Sequence, residues 1–170
     1  MKSLLLTCVL ILGLNACGYH LVGQGEDSGV IPKDASQVVI IAAANAGKLS
    51  SVFRQKLVQS GDIPVVNINQ VMDDATSHAV EIRMEQVSEA MTVSAFDTSG
   101  IANQYRVTIS ASLRVLQSGK ELWVSESIRV SGDVFATGGA VAIEAQKERV
   151  LQSLRDEWSQ KALARLRSGF

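Results

Sequence analysis

Thiols, imidazoles and net charge are scarce in this chain, and each scarcity removes a class of function. Two cysteines in 170 residues cannot build the disulfide framework that staples small secreted domains. The two histidines, His20 and His78, have no evident Ser or Cys partner. Metal-ligand clusters, glycine-rich phosphate loops and nucleophile elbows are missing from the sequence. Asp73 and Asp74 sit side by side, a pattern that suits a solvated loop. These gaps point away from an enzyme and from metal or cofactor dependence. Lys and Arg number 16 against 17 Asp and Glu, so there is no basic field for nucleic acid and no acidic tail.

What the chain does have is apolar content, 46% of its residues, enough for one domain to bury a real core. The apolar run Leu4 to Leu14 follows Lys2 and encloses Cys8. It is too short to span a bilayer as a helix, and its charged-then-apolar layout is that of a secretory signal. Within "LNACGYHLVG", small Ala16 immediately precedes Cys17. Cleavage between them leaves Cys17 as the one remaining thiol, without a disulfide partner. The arrangement resembles a bacterial lipobox, which implies an S-diacylglycerol and an N-acyl group on Cys17. Each buried CH₂ contributes about 0.8 kcal/mol, so several chains together make a permanent anchor. Gly18, rather than Asp, follows the cysteine, which in lipoproteins of this kind implies sorting to the outer membrane. The expected organisation is a signal peptide over 1–16, a lipidated flexible tether over 17–36 and a folded body over 37–170.

Periodicity outlines that body. "QVVIIAA" from Gln37 suits a buried strand. After Gly47, Leu49, Val52, Phe53 and Leu57 share one helical face, and Gly61 is placed to stop the helix. Val80, Ile82 and Met84 alternate with charged residues. The phase breaks near Val87, where a bulge is expected, before Met91, Val93 and Ala95 alternate again. "DTSG" supplies a turn, and Tyr105 to Val115 alternate cleanly against Arg106, Thr108, Ser110, Ser112 and Arg114. A turn at "QSGK" leads into a further strand over Leu122 to Val134, with another shift in phase. After "ATGG", a stripe of Ile143, Val150, Leu151, Leu154, Trp158, Ala162 and Leu166 predicts one long helix, with Lys147, Glu148, Arg155 and Gln160 off the stripe. Strand, helix, three strands, helix gives an α+β fold: a small, mainly antiparallel four-stranded sheet with two amphipathic helices packed on one face.

"ACGYHLVG" at Ala16 to Gly23 resembles the start of the LPS-assembly lipoprotein LptE family. The later stretches "FRQKLVQSG", "NQYRVTISASLRV", "KERVLQSLRDEW" and "ALARL" follow in that family's order. The resemblance implies an outer-membrane lipoprotein facing the periplasm that plugs and helps assemble the β-barrel LptD in a one-to-one complex, for insertion of lipopolysaccharide into the outer leaflet. On that reading the polar strand face, Arg106, Thr108, Ser110, Ser112 and Arg114, meets the hydrated barrel wall. The resemblance also implies, from some family members, lipopolysaccharide contacts by basic residues near the second-to-third strand turn and the start of the last helix. Here those places hold Asp97 and Ile143, leaving Arg106, Lys147 and Arg149 as the nearest substitutes. The rival reading is a lipoprotein that scaffolds or activates a cell-wall enzyme from a flexible tether.

Overall fold

The computed structural model describes residues 29–61, 64–66 and 78–169. The signal, Cys8, Cys17, His20, Asp73 and Asp74 lie outside them. Strand β1 (Gln37–Ala42) leads through a short 3₁₀ turn into helix α1 (Gly47–Ser60) and the two-residue strand β2 (Val65–Val66). Long strands β3 (Ala79–Phe96) and β4 (Ala102–Gln117) form a hairpin, followed by β5 (Lys120–Val124), β6 (Ile128–Phe135) and the terminal helix α2 (Gly139–Ser168).

The α+β class and the pair of helices on a mostly antiparallel sheet stand as expected, but the sheet has six strands rather than four. Two causes account for the difference. β2 is only Val65–Val66, paired parallel with β1, and is too short to show any period. The run from Leu122 to Val134 is divided into β5 and β6, which both pair antiparallel with β4, at its two ends in turn. The break falls at Ser125, whose hydroxyl and amide bond the amide and carbonyl of Leu113.

β1 pairs parallel with the first residues of β3, Gln37 opposite Ala79 through Ala42 opposite Met84. Parallel pairing requires a crossover, which α1 provides. The expected bulge lies between Glu85 and Ser88, with Gln86 at φ 52°. It reverses the phase of β3. Before it Ile82 and Met84 face the core beside Val115 and Leu113; after it Glu89 and Met91 stand opposite Ile109 and Val107. In the "DTSG" turn the Asp97 carboxylate accepts hydrogen bonds from the amides of Ser99 (2.8 Å) and Ile101 (2.9 Å), and Gly100 takes φ 79°.

The core lies between sheet and helices. Leu49, Phe53 and Leu57 of α1 and Leu151, Leu154, Trp158, Ala162 and Leu166 of α2 are buried against Val107, Ile109, Leu113 and Val130. Phe53 and Trp158 meet edge to face with centroids 5.8 Å apart. The Trp158 indole N–H donates to the Ile128 carbonyl at 3.0 Å, satisfying its one donor in the interior. Ahead of β1, the Val30 amide donates to the Leu166 carbonyl at 2.9 Å, and Val30, Ile31 and Ala35 pack on the core.

At Gly132 side chains of α2 pack close against β6. A Cβ there would lie 2.9 Å from Val150 Cγ1 and 3.7 Å from a Leu154 methyl. Gly132→Val is expected to destabilise the domain by about 1–3 kcal/mol through overpacking, read as a lower midpoint in urea. An unchanged midpoint would mean that the helix can shift freely.

Candidate functional site

Two helices cover one face of the sheet, and among the described residues no helix or strand covers the other. This open face is built around β4. Arg106, Thr108, Ser110, Ser112 and Arg114 recur at every second residue, so one strand carries all five to the same side. The register sets Thr92, Ala90, Ser88, Glu85 and Arg83 of β3 opposite them in that order. From β6 come Asp133 opposite Arg106, Ser131 opposite Thr108 and Arg129 opposite Ser110.

The charges on this surface are mostly paired across strands. Arg106 Nε donates to Asp133 at 3.1 Å. Arg114 forks onto both Glu85 oxygens at 2.9 and 3.1 Å and also reaches Glu121. Glu85, then Glu121, raises the Arg114 pKa above its ordinary value, so that guanidinium stays charged. Exposed pairs of this kind are screened by solvent and add little to stability; they pattern the surface. The Arg129 side chain is exposed and makes no hydrogen bond or ion pair among the described residues. Thr108 and Ser110 are half-buried, whereas Ser112 is only 7% exposed and its hydroxyl lies 3.4 Å from the Glu85 carbonyl. Ser112 thus shapes the face more than it offers contact.

The three basic residues considered for lipopolysaccharide do not converge. Arg106 is on the open face. Lys147 is on α2, on the other side of the sheet, with its ammonium 3.0 Å from Glu144. It lines a cavity of about 410 Å³ together with Lys48, Glu89, Met91, Leu151 and Arg155. The other cations of that cavity are also paired within the chain: Lys48 with Glu148 at 3.0 Å, and Arg155 with Glu89 and Glu148. Arg149 is exposed and makes no ion pair among the described residues. The "DTSG" turn does share an end of the molecule with the start of α2. Phe135 stands opposite Gln104, and the Ala136 amide donates to Asn103 at 2.9 Å. Phe96, Ile101, Phe135 and Val141 are exposed at that end.

His78 immediately precedes β3, where its carbonyl accepts the Ser36 amide at 3.1 Å. Among the described residues no group of three or more His, Cys, Asp or Glu is placed to hold a metal. No described helix is long and apolar enough to cross a membrane. Sequence reasoning missed the β6 contribution, Arg129, Ser131 and Asp133. The alternation of Ile128, Val130 and Val134 with those residues was the available signal, had the strand been started afresh after Ser125.

A family model described as "LptE: Lipopolysaccharide-assembly" matches residues 36–166. The chain belongs to the LptE family. Family membership makes it a non-enzymatic component of lipopolysaccharide assembly. Solved lipoproteins share the LptE-family fold at low identity. Rare lipoprotein B from Shewanella oneidensis aligns with TM-score 0.60 and 16% identity over 75% of this chain and 91% of that one. An uncharacterized lipoprotein B from Nitrosomonas europaea gives TM-score 0.64 and 14% identity over 85% and 89%. A minor lipoprotein from Acinetobacter baumannii gives 0.61 and 9% over 79% and 92%. No curated protein matches this LptE-family chain by sequence search.

Proposed function

We propose that this LptE-family protein is an outer-membrane lipoprotein, acylated on Cys17, that plugs the LptD barrel one-to-one and sets the open face of its sheet against the barrel wall. The observation that carries the reading is that face itself, in a chain whose family assembles lipopolysaccharide. A barrel lumen is lined by polar side chains and water. Its natural counterpart is a surface that is hydroxyl-rich and nearly charge-balanced, which is what the rows around Thr108 and Ser110 present. Such a contact is wide and hydrated, with polar groups that need not be stripped of water. For direct lipopolysaccharide contact, Arg106 and Lys147 already hold carboxylates. Arg149 is the cation of the three left to meet a phosphate.

The test is capture: the tagged protein, extracted in detergent from cells, should bring down a barrel of LptD size in equal amount. Recovery of a cell-wall enzyme in place of a barrel would favour the scaffold reading. The anchor is tested separately. Cys17→Ser should leave the body folded, and in cells depleted of the barrel the variant should leave the membrane on carbonate washing. Retention of that variant would count against acylation as the means of attachment.

A further inference from the structure

The two long margins of the sheet are treated differently. At the outer margin of β6, side chains of α2 take up strand groups at both ends. The Trp158 indole donates to the Ile128 carbonyl at 3.0 Å, and Gln146 Oε1 accepts the Phe135 amide at 3.3 Å. The opposite margin is β3. β1 pairs with it only as far as Met84. Past the bulge, Ser88 to Val93 run in unbroken register with β4 on one side, and no described strand pairs with them on the other. Proteins usually guard such an edge with lysine, proline or an inward charge. "SEAMTV" has neither Lys nor Pro, and its single charge, Glu89, is occupied by Arg155 of its own chain at 3.0 Å.

We propose that this edge pairs with the same edge of a second copy, antiparallel about a two-fold axis at Met91. The sequence is its own complement in that register. Met91 faces Met91, Ala90 faces Thr92 and Glu89 faces Val93, all within the regular stretch. No like charges oppose, so no pair is of the destabilising kind. Paired residues have the same parity and therefore share a face, which makes the two sheets continuous. Exposed Val93 gains cover at the new seam. A seam of about six residues is roughly 20 Å long, well short of a standard interface. The association is therefore weak, with a Kd in the micromolar range or above, and the high local concentration of a membrane-anchored chain favours it. The edge borders the face proposed to meet the barrel, since Ser88, Ala90 and Thr92 also flank its β4 row, so this dimer is a state of the anchored chain outside a one-to-one barrel complex.

Sedimentation velocity over a range of concentrations should show a reversible monomer and dimer. Ala90→Lys with Thr92→Lys sets lysines opposite each other across the axis and should weaken dimerisation at least tenfold, with an unchanged circular dichroism spectrum. The matching Glu pair, A90E/T92E, should also be monomeric alone, and mixing the two variants should restore a dimer. Met91→Cys, in a chain whose native cysteines are changed to Ser, should cross-link on mild oxidation, because directly opposed residues lie about 4.5–5.5 Å apart. A chain that stays monomeric at every concentration, or a dimer that survives the lysine pair, would overturn the proposal.

Discussion

Arg155→Met is expected to destabilise the domain by about 1–3 kcal/mol, the cost of losing charge-assisted hydrogen bonds from a buried cation whose carboxylate partners still reach water. The Arg155 side chain is 6% exposed. Its guanidinium forks onto Glu89 of β3, both contacts 3.0 Å, and donates to Glu148 of its own helix at 3.1 Å. Lys48 at the start of α1 bonds the same Glu148 oxygen at 3.0 Å. Through Glu89, Glu148 and Lys48, one side chain thus links the sheet and both helices. Removing it leaves Glu89, on the helix side of the sheet, with a carboxylate and no cation. The double variant Arg155→Met with Glu89→Met should recover most of the loss, since an apolar pair of similar size replaces desolvated charge at little net cost. Denaturation in urea distinguishes the two. A single variant as stable as the wild type would show the pair to be idle.

The same cluster sets an acid limit. Lys48, and after it Arg155, hold the Glu148 carboxyl below its ordinary value of 4.5. The unfolded chain therefore takes up this proton at a higher pH than the folded one does. The stabilisation is complete above the ordinary carboxylate value and is lost as pH falls through the lowered one. Glu148 is exposed, so solvent screening keeps the effect small. Arg155→Met should weaken this acid dependence without altering stability trends on the alkaline side.

How much of this was legible beforehand depended on whether a residue's fate is set locally. The α2 stripe is local. Leu151, Leu154, Trp158, Ala162 and Leu166 fall on one side by helical spacing, and all are buried. β4 is local too, since strict alternation sorts Val107, Ile109, Ala111, Leu113 and Val115 inward. Arg155 read as an outward charge because helical spacing puts it off the apolar stripe and the sheet carboxylate that draws it inward is remote in sequence. Its partner Glu89 is 66 residues away. That partner faces the helix only because the bulge at Gln86 reverses the phase of β3. The bulge itself was legible as a break at Val87; its consequence for a helix so distant in sequence was not. The burial of Ser112 is of the same kind, since it depends on Glu85 and Arg114 across the strands. As for the open face, the sequence identified its β4 row but not the flanking rows, because pairing partners are a property of topology.

Introducing Thr108→Lys together with Ser110→Glu is expected to abolish barrel capture and to open the outer membrane to large antibiotics. Both residues sit at the centre of the open face, on the middle strand, half-buried between the rows of β3 and β6. Two long charged side chains there would stand off any flat partner across the middle of the contact. Losses at such central positions reach about 2 kcal/mol or more, roughly a thirtyfold weakening. Opposite signs keep net charge unchanged, so a general electrostatic effect is excluded. Ser110 stands opposite Arg129, which has no partner among the described residues, so the carboxylate introduced there gains a cross-strand cation and the fold is preserved. Ser112 is left intact because a bulky group at a 7% exposed position would disturb the sheet itself. Ser110→Ala alone should be tolerated, since one hydroxyl in a hydrated contact is readily replaced by water. Circular dichroism and the urea midpoint establish that the double variant is folded; co-purification with the barrel and antibiotic sensitivity report the function. A folded double variant that still captured the barrel at full yield would remove this face from the interface and turn attention to the end that carries Phe96, Ile101 and Phe135.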